Sequence, residues 1–338
     1  MEVNRAKYSI EYERPQTSKR IFSALLDFLI FCLIFLIFFI ISDQIAKVTP
    51  GYQENDLIIE NVHQNSCIYV PEDGPNGKSK QYRLISDYYE TNFDQYTSYY
   101  VLSTLTDSIL GTNSHDGFIN FMLEENYEKG LELKEDFNEF RLNIKIDGKE
   151  VYYMDETTNQ ISYMPKGNYE TVAKEFFIPY INETCRAYLS YVNGYNDAML
   201  FLTRIIVIIE IPIPLILSCF ITYLFIPLIF NKGKKTIGKL VFKIGVVNKN
   251  LLNVSNKQYF LRFLIFLFLE VILSIFTFLI PIIISFNMIF FTKNKQCLHD
   301  YIMHFQLVDT SMYKIYNSLD EIVLDEINSK NGVDFRLR

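Results

Sequence analysis

Residues 21–42 read IFSALLDFLIFCLIFLIFFIIS, with one charge, Asp27, in twenty-two positions. A helix of that length rises about 33 Å, enough to cross a hydrocarbon core of about 30 Å. A helix buried in a soluble core is usually shorter and keeps a polar stripe. A cleaved signal segment has a shorter apolar core and a small-x-small site after it, whereas this run exits into Ser42-Asp43-Gln44. The stretch is therefore expected to be an uncleaved membrane span.

Two more apolar blocks lie downstream. Residues 206–230 read IVIIEIPIPLILSCFITYLFIPLIF, with Pro212 and Pro214 near one end and Pro227 near the other. Proline is harmless in the first turn of a helix, where the missing N–H has no intrahelical partner. Residues 262–292 open on Arg262 and continue FLIFLFLEVILSIFTFLIPIIISFNMIFFT. One straight helix of that length would be about 45 Å long, more than a bilayer needs. Pro281 interrupts it, so the block is either one kinked span or a helical hairpin. Lys293 and Lys295 directly after it favour the hairpin.

Charge assigns the sides. Residues 43–200 hold 26 acidic and 12 basic side chains; the remainder holds 13 acidic and 20 basic. Lysine and arginine beside a span retain that flank in the cytoplasm. Arg5, Lys7, Arg14, Lys19 and Arg20 precede the first block, and seven lysines with no acid fall between Asn231 and Lys257. The expected order is a cytoplasmic segment 1–20, a first span 21–42, an extracytoplasmic domain 43–200 and a second span 206–230. A basic cytoplasmic loop 231–261, the third block 262–292 and a cytoplasmic tail 293–338 complete it. The fold class that follows is an all-α membrane bundle of three to four membrane segments with an inserted extracytoplasmic α+β domain.

Within 43–200, residues 94–111 and 169–199 have helical spacing of apolar residues, and 72–77 (EDGPNG) reads as a turn. Residues 141–154 read as a hairpin. Leu142, Ile144 and Ile146 alternate with polar neighbours, Asp147-Gly148 suits a type I′ turn, and Val151 and Tyr153 resume the alternation. Cys67 and Cys185 both fall in this region. Outside the cytoplasm they could form a disulfide or remain two unrelated thiols.

Catalytic patterns are missing. Gly233–Lys239 fits GxxxxGK, but Leu240 stands where a hydroxyl should hold magnesium, and a membrane span precedes it in place of a soluble strand. His63, His115, His299 and His304 complete no metal-binding pattern, and the cysteines show no CxxC spacing. No enzyme activity, metal or cofactor is expected. The lysine-rich loop is explained by anionic lipid, so nucleic acid is not an expected partner.

The informative residues are charges within apolar runs. Asp27 lies seven positions after Arg20, which places both on one helix face. Glu270 lies deep in the third block with Arg262 at its mouth. An ionisable group in a span costs roughly 2.5–3.5 kcal/mol on insertion scales unless it faces protein or water. One reading is snorkelling near the interface with no role; the other is a polar cluster inside a helix bundle.

At these positions the chain resembles the RDD family of membrane proteins, named for one arginine and two aspartates. Arg20-Ile-Phe-Ser-Ala24-Leu-Leu-Asp27 is similar to the family's first motif, and Thr236-Ile-Gly238-Lys239 to its TxGK segment. Arg262 and the terminal Gln296-Cys-Leu-His299-Asp300 complete the match. The resemblance covers roughly 15–42 and 205–310, and leaves the middle region as an insertion. Two departures stand out. Lys234 occupies the position where the family usually has a glycine, and the small Gly-Thr pair after Asp300 is missing. The resemblance implies Arg20, Asp27 and Asp300 as the family's charged residues, with Lys239, Arg262, Glu270 and His299 in a polar cluster. It also implies that strand-like pieces at 240–247 and 305–309 pair on the cytoplasmic side. A multi-pass cell-membrane protein of transport or transport-accessory type follows, in contact with lipid and with a second copy or another membrane protein. The alternative is a membrane-anchored binding or scaffold protein whose middle domain recognises an envelope component or secreted peptide.

Overall fold

A computed structural model describes residues 12–73, 81–91, 101–102, 117–155, 160–163, 169–230, 232–292, 295–311 and 313–330. The chain divides into two compact units, one formed by Met1–Asp43 with Ile209–Arg338 and the other by Gln44–Ile208.

Three helices are long and apolar enough to cross a membrane: Thr17–Lys47, Tyr195–Ile229 and Asn256–Phe276. Their apolar side chains largely point outward; Leu29, Leu33, Phe225, Phe268 and Ile275 are each more than half exposed. An apolar surface of that extent is unfavourable in water and at home in lipid, where only structures with internally satisfied backbones can cross. The chain is a mostly helical membrane protein.

The second long helix starts at Tyr195 rather than near residue 206, after Gly194 turns the chain at φ 76°. Pro212 and Pro227 are therefore interior residues, not first-turn ones. Each follows a wider π turn, at Ile206–Glu210 and Phe220–Phe225. A π turn loosens the backbone where proline would otherwise collide with the preceding carbonyl, so the helix continues.

The third apolar block is two helices. Asn256–Phe276 is followed by Phe278 and Leu279, both left-handed at φ 49° and 66°, and Ile280–Phe291 begins with Pro281 in its first turn. The second arm runs back along the first, because Arg262 near the start of the block meets Asp300 after its end. The return arm of 12 residues rises about 18 Å, less than a full crossing. Ser255 and Gln258 form a reciprocal capping box at the start of the outgoing arm.

Between the second helix and this hairpin, Ile237–Val241 forms one short turn of helix and Ile244–Val247 a strand. The strand pairs antiparallel with Gln306–Asp309, in register from Ile244↔Asp309 to Val247↔Gln306. Residues 240–241, expected as the start of that strand, belong to the helical turn.

The unit Gln44–Ile208 has its own aromatic core, in which Phe118, Phe137, Tyr152 and Phe177 are almost fully enclosed. Its helices include Pro50–Asn65, Phe118–Glu125 and Tyr127–Leu142, followed by a helical run over 169–191 with π turns. The expected hairpin at 141–154 is much shorter. Lys145–Ile146 pairs with Lys149–Glu150 around Asp147 and Gly148, which are left-handed at φ 51° and 75° as a type I′ turn requires. Leu142 is helical, because Leu133, Phe137 and Arg141 give the preceding segment a buried helical face. Tyr152–Asp155 pairs instead with Gln160–Tyr163. Except for Val101 and Leu102, the expected helix 94–111 lies outside the described residues, as does most of the turn at 72–77.

Cys67 and Cys185 are not joined. Cys185 is a buried thiol in the helical run, enclosed by the aromatic core, while the Cys67 thiol donates to the Asn65 carbonyl.

Candidate functional site

All seven ionisable residues singled out in the sequence line one cavity of about 350 Å³ in the first unit. Arg20 and Asp27 reach it from the first helix, Lys239 from the short helical turn, Arg262 and Glu270 from the outgoing arm, and His299 and Asp300 from Leu298–Ile302.

The two aspartates are held by different chemistry. Asp27 accepts from the Thr236 hydroxyl at 2.5 Å and from the Gly238 backbone N–H at 2.7 Å. Thr236 is also the N-cap of Ile237–Val241, accepting from the Lys239 N–H. The first helix approaches so closely that a Cβ on Gly238 would lie 2.2 Å from the Ser23 carbonyl oxygen. Glycine at this position therefore serves close packing. The Gly238 N–H that a phosphate loop would offer to nucleotide is spent on Asp27.

Asp300 instead pairs with a cation. Arg262 Nε donates to its Oδ1 at 2.6 Å, with both groups almost fully buried. Burial pushes the Asp300 carboxyl up, but the Arg262 guanidinium beside it prevails and holds it well below the usual carboxylate range. Arg262 Nη2 lies 2.9 Å from His299 Nε2, and Nη1 donates to the Tyr259 hydroxyl at 3.3 Å. On the other side of the ring, His299 Nδ1 lies 2.7 Å from Glu270 Oε1, which also accepts the His299 backbone N–H at 2.9 Å. These partners fix the tautomer: arginine can only donate, so Nε2 is an acceptor and the ring proton sits on Nδ1, donated to Glu270. Asp300, Arg262, His299 and Glu270 thus form a continuous chain of hydrogen bonds.

Arg20 is 7% exposed, and its Nη2 donates to the Lys295 backbone carbonyl. Its buried Nε has no hydrogen-bond partner among the described residues. Lys239 is half-buried and its ammonium makes no hydrogen bond or ion pair with any described residue. Burial, followed by the nearby Arg262, lowers its pKa from the ordinary lysine value.

Cys297, His299 and Asp300 offer ligand atoms within 4.8 Å of one another, a spacing compatible with a metal. The donors do not suit one. Both ring nitrogens of His299 are committed, Asp300 is paired with Arg262, and burial, with Asp300 next, pushes the Cys297 thiol up to about 12. A protonated thiol is a poor ligand.

Several contributors had no charge to reveal them. Thr236 and Gly238 belong to the recognised TxGK segment but were not marked as partners of Asp27. Ser285, a lone hydroxyl in the return arm, accepts the Leu298 N–H at 3.0 Å and so anchors the segment carrying His299 and Asp300. Its only signal in the sequence is a polar residue within an apolar run.

Lys234, standing where the resemblance leads one to expect glycine, is left-handed at φ 43° and follows Gly233 at φ 81°. The departure is accommodated because the Lys234 side chain is fully buried and its ammonium donates to Asn256 Oδ1.

No curated protein and no solved structure matches the chain. Arg20 and Asp27 lie outside the stretch that matches a family. Residues 187–304, which carry Lys239, Arg262, Glu270, His299 and Asp300, match the RDD family, a family of membrane proteins.

Proposed function

We propose that this is a multi-pass, non-enzymatic protein of the cell membrane whose charged cavity handles ions or small solutes, as a transporter or as an accessory to one. The observation that carries the reading is the convergence of Arg20, Lys239 and Arg262, three carboxylates and His299 on one cavity between apolar helices. Ionisable groups at that depth are costly, and are tolerated where they line a water-filled or solute-filled path. In this reading both basic flanks face the cytoplasm and the unit Gln44–Ile208 lies outside. Three long helices are few for a complete path, so the working form is an oligomer or a complex with another membrane protein.

The test is flux in reconstituted vesicles by the wild type and by Asp27→Asn, together with a variant lacking 50–195. Flux that survives the deletion and falls at least tenfold in Asp27→Asn supports the reading; no flux for any panel of ions and small solutes sinks it. Cysteine-accessibility labelling near residues 60 and 320 tests the sidedness, with opposite labelling expected.

The second reading is a binding or scaffold protein. It is favoured by the independent aromatic core of the unit Gln44–Ile208, which is more than a loop between spans requires. Under it, the deletion abolishes capture of an envelope component while leaving the helices assembled.

A further inference from the structure

The donors around the cavity are unevenly satisfied. Asp27 has two neutral donors, Asp300 has Arg262, and Glu270 has two N–H groups of His299. Among the described residues the buried Nε of Arg20 has no such partner, and the half-buried Lys239 makes no hydrogen bond through its ammonium. A buried donor without an acceptor costs roughly 1–3 kcal/mol, more when charged. The cavity's three carboxylates are engaged elsewhere, so what these two groups lack is an acceptor within hydrogen-bond reach, and an oxyanion with several oxygens supplies it for both cations at once. The walls narrow the choice further. Phe28 on the first helix and Ile282 and Phe286 on the return arm line the same cavity, yet are 55%, 42% and 53% exposed. The space beside the two cations is therefore continuous with the apolar outer surface of the helices. A small hydrophilic anion would gain nothing from that side, whereas an acyl chain would gain from all of it.

We propose that the cavity binds the phosphate headgroup of an anionic lipid, with Arg20 and Lys239 holding its oxygens and Phe28 and Phe286 flanking its chains. Basic pockets between membrane helices suit such headgroups. The proposal rests on the cavity being a functional site but does not require transport. A lipid phosphate there would also raise the Lys239 pKa, opposing the burial that lowers it.

The experiment uses the full chain purified in a neutral detergent. Binding is measured by thermal shift and native mass spectrometry with dioctanoyl phosphatidic acid, dioctanoyl phosphatidylcholine and inorganic phosphate. Phosphatidic acid is expected to bind at least tenfold more tightly than either of the others. Lys239→Gln should weaken it about tenfold, and Lys239→Arg should restore it, showing that the charge matters and the fold is intact. Arg20→Gln gives a second reading if Lys239→Gln fails to assemble. Equal affinity for inorganic phosphate overturns the lipid assignment in favour of a free anion. Phosphatidic acid bound equally well by wild type, Lys239→Gln and Arg20→Gln overturns the site. Flux measured on the same preparations separates this proposal from the transport reading, since either can fail while the other holds.

Discussion

Asp27 and Asp300 face the same cavity, yet one carboxylate is kept by a hydroxyl and a backbone N–H and the other by a guanidinium. The difference separates two jobs. Asp27 joins the first helix to the Thr236–Lys239 turn, where Gly238 lets the backbones come close enough for the hydrogen bonds to form. Among the described residues no backbone N–H donates to the Asp300 carboxylate, and its neutralisation comes from Arg262 on the outgoing arm of the hairpin. Loss of a neutral donor leaves a weaker hydrogen-bond set; loss of Arg262 leaves a buried charge alone.

The largest effect that tests this contrast is Arg262→Met. Removing one partner of a buried pair costs about 3–5 kcal/mol, and His299 Nε2 loses its donor as well. Thermal unfolding in detergent should fall sharply, and the double variant Arg262→Met/Asp300→Leu should recover most of the loss. Equal instability of the single and double variants would break the assignment of Asp300 to a charge pair.

Next comes Gly238→Ala. A Cβ 2.2 Å from the Ser23 carbonyl oxygen forces the first helix away and disrupts both hydrogen bonds to Asp27, at a cost of about 1–3 kcal/mol. Asp27→Asn should cost less, about 1–2 kcal/mol, because an amide oxygen still accepts one of the two donors. An Asp27→Asn variant as unstable as Arg262→Met would show that Asp27 is also held chiefly by charge.

The smallest effect belongs to a third carboxylate, outside the cavity. Burial raises the pKa of Asp309, but hydrogen bonds from Lys19, at 2.8 Å, and Ser311 outweigh it and hold the group down at about 2. A carboxyl lowered in the folded state stabilises it above the ordinary aspartate pKa, and that contribution fades as pH falls from about 4 to about 2. A carboxyl-resolved NMR titration of wild type and Lys19→Met should place the Asp309 midpoint higher in the variant. An unchanged midpoint would remove Lys19 as its cause.

Much of the cavity was legible because charge stands out in an oily run. Arg20, Asp27, Arg262 and Glu270 each carry a cost that only a protein or water partner offsets, so their convergence follows from the bilayer as solvent. The motif resemblance added Lys239, His299 and Asp300. Uncharged partners escaped notice, since a threonine, a glycine and a serine acquire their roles only when another element comes within 3 Å. Helix limits were less legible than helix existence. The π turns that admit Pro212 and Pro227 leave no mark in composition, so oiliness marks the span at 206–230 while the helix that carries it begins at Tyr195. Alternation around Ile144 suggested a strand reaching back to Leu142, but burial of Leu133 and Phe137 on the same helix decided otherwise. The sequence leaves Cys67 and Cys185 open between a disulfide and two free thiols, because shared location says nothing of distance, and the structure has both as thiols.

The strand pair Ile244–Val247 with Gln306–Asp309 joins the chain on either side of the apolar hairpin. Mechanically this makes the hairpin a side loop. Tension between the chain before Ile244 and the chain beyond Asp309 peels the four-residue ladder open from its Ile244–Asp309 end, and the two arms of the hairpin carry no force until that ladder has opened.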